Sequence, residues 1–187
     1  MATESGHWRS TDSALVEKAR EGDDSAFHEL VDRYASFLFT LAVSLSGNAA
    51  DAEDLVQEAF SGAFRGLAAF EGRASVKTWL TRILMRQAAR HLRITRKRRA
   101  TFLPLEAAAD AGAGDASGHA AADTRLDVMA AIRSLSPEHQ AVIVLRELQG
   151  LSYEEMAQVL EVPRGTVESR LFRARRAMQE LLKAYLG

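Results

Sequence analysis

The sequence contains no cysteine and only three prolines in a chain of 187 residues. Without cysteine, the chain can form no disulfide, no thiolate metal site and no cysteine nucleophile. Its five histidines are scattered and show no metal-binding spacing such as HExxH. No apolar run approaches the ~18 residues that span a bilayer, and the N-terminus lacks the layout of a signal peptide. We therefore expect a soluble, cytoplasmic protein with no metal, no cofactor and no membrane insertion.

Charge is nearly balanced overall, with a formal net charge of −1, but it is unevenly distributed. Residues 1–60 carry 4 basic and 12 acidic groups, whereas residues 61–99 carry 11 basic groups and 1 acidic group. Such a basic block inside a neutral chain indicates a polyanionic partner, most simply a nucleic acid. The acidic block predicts either a second, basic partner or a contact with the basic block.

Apolar residues recur at steps of three and four, and no segment alternates apolar and polar residues as a strand does. We therefore predict an all-α protein. After a tail over residues 1–11, the first helix is expected to run from a cap at Asp12 to Arg20, and Gly22 ends it. A second helix of about six turns follows and ends at Gly47.

Acidic residues from Asp51 onward suit the first turn of a third helix, because carboxylates favour the positive end of the helix dipole. Its predicted buried face is Leu55, Val56, Ala59, Phe60, Ala63, Phe64 and Leu67. A loop over residues 70–74 follows, with Ser75 as the cap of a fourth helix. Basic residues recur on that helix at steps of four, four and three, and so form one row, which we call the arginine row: Arg82, Arg86, Arg90 and Arg93.

Residues 100–123 differ in composition from the rest of the chain. Ten of these 24 residues are alanine and three are glycine, which is typical of a flexible linker. We predict two domains on either side of it, over residues 12–99 and 124–187.

The second domain ends in a pattern typical of a helix-turn-helix. Ser152 begins a short helix through a capping box, residues 161–163 break it, and the last helix starts near Pro163. Polar residues outside the apolar stripe of this last helix can contact base edges and phosphates: Thr166, Ser169, Arg170, Arg173 and Arg176. Arg164 lies at a helix N-terminus, where free N–H groups suit a phosphate. Glu168 would repel phosphate unless it accepts from a cytosine amino group.

Aromatic residues lie among the basic residues of the first domain, and aromatic rings beside a cationic groove can hold unstacked bases. Trp79 falls at helical spacing with Leu80 and Ile83, which favours a place in the core. Phe70, in a loop, is the better candidate for contacting a base.

The acidic residues Asp51, Glu53, Asp54 and Glu58 admit three interpretations. A catalytic pair or a metal site is the weakest, since no histidine or glycine-rich phosphate loop accompanies them. A helix start explains their spacing. The third interpretation is a docking surface for a basic or amphipathic partner.

Three segments resemble the sigma-70 family of bacterial transcription initiation factors, in its extracytoplasmic-function group. They are DAEDLVQEAF (51–60), AFRGLAAFEGRASVKTWLTRIL (63–84) and LRELQGLSYEEMAQVLEVPRGTVESRLFRARRAM (145–178). The resemblance implies a helical bundle (region 2) and a helix-turn-helix (region 4) joined by the linker. It also implies a protein that binds core RNA polymerase, directs it to promoter DNA and helps to melt the duplex, without enzymatic activity.

The resemblance further implies which residues make these contacts. The polymerase would be bound at its β′ clamp and β flap, with the clamp contacting Asp51, Asp54, Leu55, Gln57 and Glu58. The minus-ten element would contact Phe70, Arg73, Ser75, Lys77, Trp79, Arg82, Arg86, Arg90 and Arg93. The minus-thirty-five element would contact Arg146, Arg164, Thr166, Glu168, Ser169, Arg170, Phe172, Arg173 and Arg176. An anti-sigma factor, often membrane-bound, would hold the protein inactive.

Two positions depart from the family pattern. Arg86 stands where members often have asparagine, and Glu168 stands where a basic residue is frequent. Two alternative functions remain: a helix-turn-helix regulator that acts without joining the polymerase, and a non-DNA interaction module such as an anti-sigma-like scaffold. An enzyme is the weakest interpretation.

Overall fold

The structure is a computed structural model that describes residues 4–102 and 128–186, with side chains for residues 11–94 and 128–183. Every regular element in these ranges is helical, so the predicted all-α class is confirmed. The helices are α1 (Glu4–Arg20), α2 (Asp24–Ser46), α3 (Ala49–Gly66), α4 (Val76–Phe102), α5 (128–134), α6 (Pro137–Ile143), α7 (Tyr153–Leu160) and α8 (Arg164–Leu186). A 3-10 turn (Leu67–Ala69) follows α3, and a π-helical turn (Val144–Leu148) follows α6.

Local capping groups set the helix boundaries of the first domain. Asn48 accepts the backbone N–H of Asp51 at 2.8 Å before α3, and Ser75 accepts that of Thr78 at 3.0 Å before α4. Gly47 ends α2 at φ +86°, in the left-handed region that glycine adopts without steric cost. These boundaries agree with the sequence-based prediction.

The prediction that Asp12 caps the first helix is wrong, because α1 begins at Glu4 and continues past it. Asp12 is buried, and its carboxylate accepts hydrogen bonds from the Arg33 guanidinium and the Tyr34 hydroxyl on α2. A buried carboxylate requires such partners, and these are 21 and 22 residues away in the sequence. Burial, together with this hydrogen bond, raises the pKa of Tyr34 above its ordinary value.

The predicted apolar stripes of α2, α3 and α4 form the core of the first domain, where Leu38, Leu41 and Leu84 are fully buried. One predicted core residue, Phe64, is instead 52% exposed. Its ring meets the edge of Phe27 at 5.1 Å, at the margin of the packed face of α3. Helical spacing therefore predicted the buried side of α3 correctly, except that it included Phe64.

Two helices of the second domain begin at side-chain caps, and the capping box of α7 is the one predicted from the sequence. Ser152 and Glu155 form the capping box, with the Glu155 N–H donating to the Ser152 hydroxyl at 3.2 Å and the Ser152 N–H donating to the Glu155 carboxylate at 2.8 Å. Ser136 caps α6, and Pro137 occupies its first turn. The chain leaves α7 through Glu161, which has a left-handed φ of +55°.

The predicted linker lies outside the described residues, except for positions 100–102, which continue α4. The two groups of helices contact each other, and a single cluster of buried residues includes members of both. α6 and α7 pack against α4, and the buried Gln140 amide donates to the carbonyl oxygens of Ser44 and Leu45 at 3.4 and 3.0 Å. We call this packing of α6 and α7 on α4 the closed arrangement.

Candidate nucleic-acid and protein interfaces

The arginine row lies along one face of α4, because residues three and four apart in a helix share a side. The side chains of Arg86 and Arg90 are 63% and 57% exposed, and that of Arg82 is 34% exposed. Arg93 is also exposed. The row therefore presents guanidinium groups to solvent even in the closed arrangement.

Two members of the row bind the second domain. Arg86 donates to the Glu161 carboxylate from Nη2 at 2.6 Å and from Nε at 3.2 Å, and Arg82 Nη1 lies 3.8 Å from the same carboxylate. The hydrogen bond from Arg86 lowers the pKa of Glu161, and both positive charges add to this effect. Arg90 instead binds Glu58 of its own domain at 2.9 Å.

Phe70, predicted as the better candidate for contacting a base, is largely buried in this arrangement. Its ring packs on that of Trp79 at 4.6 Å with a 33° angle, and both residues are buried. The expectation that Trp79 belongs to the core is confirmed. Arg20 holds the loop, because its guanidinium donates to the carbonyl oxygens of Leu67, at 2.9 Å, and of Phe70. Arg20 was not predicted, since nothing in its local sequence marks it as more than a basic residue at a helix end.

The remaining predicted minus-ten residues have different surroundings. Ser75 is occupied as the cap of α4. Arg73 is 84% exposed and pairs with its neighbour Glu71, and the Lys77 ammonium lies 4.3 Å from the centroid of the Phe37 ring. The basic groups of this loop are therefore accessible, although its aromatic residue is not.

A cleft lies beside this loop, between the two domains. Its first-domain wall includes Arg73 and Ser75, and its opposite wall is formed by α7 with Glu154, Glu155 and Gln158. Acidic and amide side chains of the second domain thus face the loop that was predicted to receive the minus-ten element.

α7 and α8, joined by a three-residue break, form the predicted helix-turn-helix. Val167, Leu171 and Ala174 bury one side of α8, which turns the opposite side outward. Thr166 and Arg170 are half-buried. The predicted contacts that are exposed are Arg164, Glu168, Ser169, Phe172, Arg173 and Arg176.

Arg164 lies between two carboxylates at the start of α8. Its guanidinium binds Glu168 at 2.8 Å and also binds Glu154 of α7. The hydrogen bond to Glu168 raises the pKa of Arg164, and the charges of both carboxylates contribute. Positive charge at this end of the helix is therefore already balanced, in contrast to Arg173 and Arg176 further along.

Two arginines bind residues next to the helix-turn-helix and stabilise its position in the second domain. Arg146 donates to the carbonyl oxygen of Leu151 at 2.7 Å and lies over the Tyr153 ring at 5.2 Å, so it orders the turn before α7. Arg175, which was not predicted, binds Glu147 at 2.7 Å and ties α8 to the π-helical turn. Its position between two predicted DNA contacts gave no signal of this role.

The predicted polymerase contacts lie on α3 facing the groove between α3 and α4. Asp54, Gln57 and Glu58 are exposed there, and we call them the acidic surface. Asp51 lies 3.3 Å from the His91 ring at one end of the groove. Leu55 lines the same groove but is only 3% exposed, so its side chain adds little surface there and its predicted contact with the polymerase stays a prediction. Its helical spacing already placed it on the inner face of α3.

Two exposed apolar side chains near the acidic surface were not predicted as part of it. Ile94 of α4 lines the same groove and is 46% exposed, while Phe64 is exposed on α3 with Gln57 and Phe27 close by. A surface that combines carboxylates with apolar side chains is suited to a partner helix that carries both basic and apolar groups.

Within residues 11–94 and 128–183, no group of three or more histidine, aspartate or glutamate residues could hold a metal ion. No helix in the described part of the chain is both long enough and apolar enough to cross a membrane.

The order of these features along the chain matches two family models. Residues 30–99 match "Sigma-70 region 2", and residues 125–178 match "Sigma-70, region 4". Together they cover more than half of the chain, which belongs to the sigma-70 family.

Similar proteins place the chain in the extracytoplasmic-function group of that family. It is 39% identical over 178 residues to the ECF RNA polymerase sigma-E factor of Escherichia coli, covering 90% of this chain and 92% of the other. It is 37% identical over 188 residues to the RNA polymerase sigma-H factor of Pseudomonas aeruginosa, covering 94% and 95%. The fold is similar to that of the sigma factor RpoE of Bartonella quintana, solved in complex with the anti-sigma factor NepR. In that comparison the TM-score is 0.64 and the identity 30%, over 84% of this chain and 96% of the other.

Proposed function

We propose that this chain binds core RNA polymerase, directs it to specific promoters and stabilises the melted DNA from which transcription starts. The observation that carries the proposal is the presence of two arginine-bearing helices, α4 and α8, in separate domains of one chain that belongs to the sigma-70 family. A single chain with both can hold two elements of one promoter at a fixed spacing.

The acidic surface on α3 is the proposed docking site for the β′ clamp of the polymerase, and the second domain would contact the β flap. Asp54, Gln57 and Glu58 are exposed, and Ile94 adds apolar area in the same groove. Carboxylates steer a basic partner, while apolar contacts provide most of the affinity of a protein interface.

The arginine row is proposed to track the single strand of the melted minus-ten element, after the second domain has moved away from it. Arginines along a helix neutralise successive phosphates, so capture of the strand offsets the few kcal/mol needed to unpair each base. With Phe70 buried on Trp79, a base would be held by the polar loop and not by ring stacking on Phe70.

The outward side of α8 is proposed to enter the major groove of the minus-thirty-five element. Arg173 and Arg176 are exposed there, and the Phe172 ring, 64% exposed, can contact a thymine methyl group. Half-buried Arg146 and Arg170 are instead held by protein partners, so we propose that they support the reading face.

We further propose that the chain catalyses no reaction itself, acts in the bacterial cytoplasm where the polymerase is, and is held inactive by an anti-sigma factor. An inhibitor anchored in the membrane would tether it there. The support is the solved complex of a similar sigma factor with an anti-sigma factor. On this proposal, residues 12–99 and 124–187 are the two functional domains.

The test is run-off transcription from a randomised promoter pool with purified core polymerase. We expect the core enzyme with this chain to give transcripts that share two sequence elements at a constant spacing. The variant Arg173→Ala/Arg176→Ala should lose the upstream element, and a matched change on the same helix, Gln179→Ala, should not.

A chain that selects duplex DNA without the polymerase, but yields no promoter-specific transcripts with it, would instead be a helix-turn-helix regulator. A chain with no salt-dependent affinity for DNA would be an interaction module. Either result overturns the proposed function.

A further inference from the structure

We propose that the closed arrangement is autoinhibitory, because the Glu161 carboxylate, in the turn after α7, occupies arginines of the DNA-binding face of the first domain. This inference rests on the proposed function of the arginine row and extends it to regulation by the chain's own second domain. In the closed arrangement Glu161 holds Arg86 and lies close to Arg82, so these two arginines cannot bind a DNA strand until the domains separate.

The first observation is the contact between Arg86 and Glu161. Both Glu161 carboxylate oxygens accept hydrogen bonds from one guanidinium, and Arg82 lies close to the same group. This two-oxygen geometry is also the one by which arginine binds a phosphate. A guanidinium that holds Glu161 in this way is not available to a phosphate at the same place.

The second observation is the backbone of Glu161. Its φ of +55° lies in the left-handed region, and no other non-glycine residue in the described ranges has a positive φ. This conformation carries a steric cost for a residue with a Cβ atom, and glycine or asparagine normally ends a helix in this way. The local backbone therefore does not explain a glutamate here, whereas its ion pair with the row does.

The third observation is the cleft beside the minus-ten loop. Glu154, Glu155 and Gln158 of α7 form the wall opposite Arg73 and Ser75. The first turn of α7 thus faces the loop while the turn after α7 holds the row. Glu154 is bound by Arg164 and Glu155 by Ser152, so these side chains narrow the approach to the loop without pairing with its basic groups.

The other contacts between the two domains limit how far loss of the Arg86–Glu161 pair can shift the chain from closed to open. The closed arrangement also buries apolar residues of both domains and the Gln140 amide, so the ion pair is only one part of its stability. A partly exposed pair contributes little, so we expect its loss to shift the ratio of open to closed chains about two- to fivefold. Affinity for a single strand should rise by up to the same factor, since only open chains bind.

The experiment measures closure directly in the full-length chain. Because the protein has no cysteine, Lys18→Cys on α1 and Gln179→Cys on α8 give two unique, exposed sites for a fluorescent donor and acceptor. Glu161→Gly removes the carboxylate and suits the left-handed backbone, so this variant is expected to fold. Glu161→Gln tests the charge alone. Glu180→Gln, which removes an exposed carboxylate of α8 away from the interface, is the matched control.

We expect lower energy transfer in both Glu161 variants and wild-type transfer in Glu180→Gln. Arg86→Glu alone should also lower the transfer, and combining it with Glu161→Arg should restore it. Binding of a labelled single-stranded oligonucleotide pool should tighten about two- to fivefold in the Glu161 variants, beyond any change in Glu180→Gln. Unchanged transfer, or unchanged affinity beyond the control, overturns the inference.

Run-off transcription with the same variants separates this inference from the proposed function. Wild-type transcripts together with unchanged energy transfer would refute autoinhibition and leave the sigma-factor function intact. Increased opening and tighter DNA binding without any promoter-specific transcript would refute the function and leave the self-contact intact.

Discussion

α4 and α8 both carry exposed arginines along a long helix, but they differ in what balances those charges. On α4, Arg86 is held by a residue 75 positions away, in the other domain. On α8, no carboxylate pairs with Arg173 or Arg176 within the side chains that the structure describes. Access of DNA to α4 therefore depends on the arrangement of the domains, whereas access to these arginines of α8 is open in the closed arrangement.

The comparison extends to the ends of the two faces. α8 has its own charge balance at the N-terminus, where Arg164 is held between Glu154 and Glu168. The loop before α4 is held by apolar packing of Phe70 on Trp79. Local ion pairs therefore balance the charge at the start of α8, whereas on α4 two arginines of the row are contacted by Glu161 of the other domain.

The largest expected effect is on the stability of the first domain, through the packing of Phe70 on Trp79. Phe70→Ala should lower the free energy of unfolding by about 3–5 kcal/mol, because it leaves a cavity against Trp79. Urea denaturation followed by circular dichroism measures this loss. Phe70→Leu should recover most of the stability.

Phe70→Leu also separates packing from base contact. If this variant folds stably and yet binds single-stranded DNA much more weakly than wild type, Phe70 contacts a base after the domains open. Equal affinity of the two proteins would confirm its role as a core residue.

Several features of the fold follow from local sequence, and others do not. The starts of α3, α4 and α7 depend on Asn48, Ser75 and Ser152, whose partners are three residues away. Asp12 was wrongly predicted as a helix cap, because its hydrogen-bond partners lie on another helix. The pair of Arg86 with Glu161 has no local signature, since each residue alone fits a solvated surface.

Some features of the candidate sites also follow from local sequence, and others depend on residues distant in the chain. Helical spacing was sufficient to predict the arginine row and the outward side of α8, because each is a property of one helix. It was not sufficient to show that Phe70 is buried, that Arg20 holds its loop, or that Arg175 binds Glu147. These depend on contacts between elements distant in the sequence.

The next largest effect is expected at Arg173, on the exposed side of α8. Arg173→Ala should weaken binding to a selected promoter by ~1–3 kcal/mol if the guanidinium reads a base, with the loss greatest at one base position. If it binds a phosphate, the slope of log affinity against log salt concentration should fall by about 1 instead. Fluorescence anisotropy across a salt series measures both, and a variant unchanged in both properties would remove Arg173 from the interface.

A smaller effect is expected at the start of α8, where Glu154 and Glu168 balance the charge of Arg164. Glu168→Gln should release Arg164 from one partner and relax any preference for cytosine at one position of the bound element, at a cost of about 1 kcal/mol. Sequencing of DNA selected by the wild type and the variant measures this. Glu180→Gln serves as the control, and identical base frequencies in all three proteins would show that Glu168 reads no base.

The smallest expected effect is on pH dependence. The pKa of Glu161 is lower in the closed arrangement than its ordinary value of 4.5, because Arg86 binds the charged form. Its contribution to closure is therefore present above pH 4.5 and is lost as the pH falls through the lower, closed-state value. Energy transfer in the labelled protein should decline there in the wild type, whereas Glu161→Gln should lack this component. The same decline in both proteins would assign it to other carboxyl groups.

Permanganate probing of unpaired thymines on a promoter recovered from the pool tests most directly the claim that one chain uses both faces on one promoter. The account predicts reactive thymines in the downstream element only when this chain and core polymerase are both present, and their loss when Arg82, Arg86, Arg90 and Arg93 are replaced by alanine. Reactive thymines without this chain, or protection of the upstream element with no unpaired thymines in the complete complex, would contradict it.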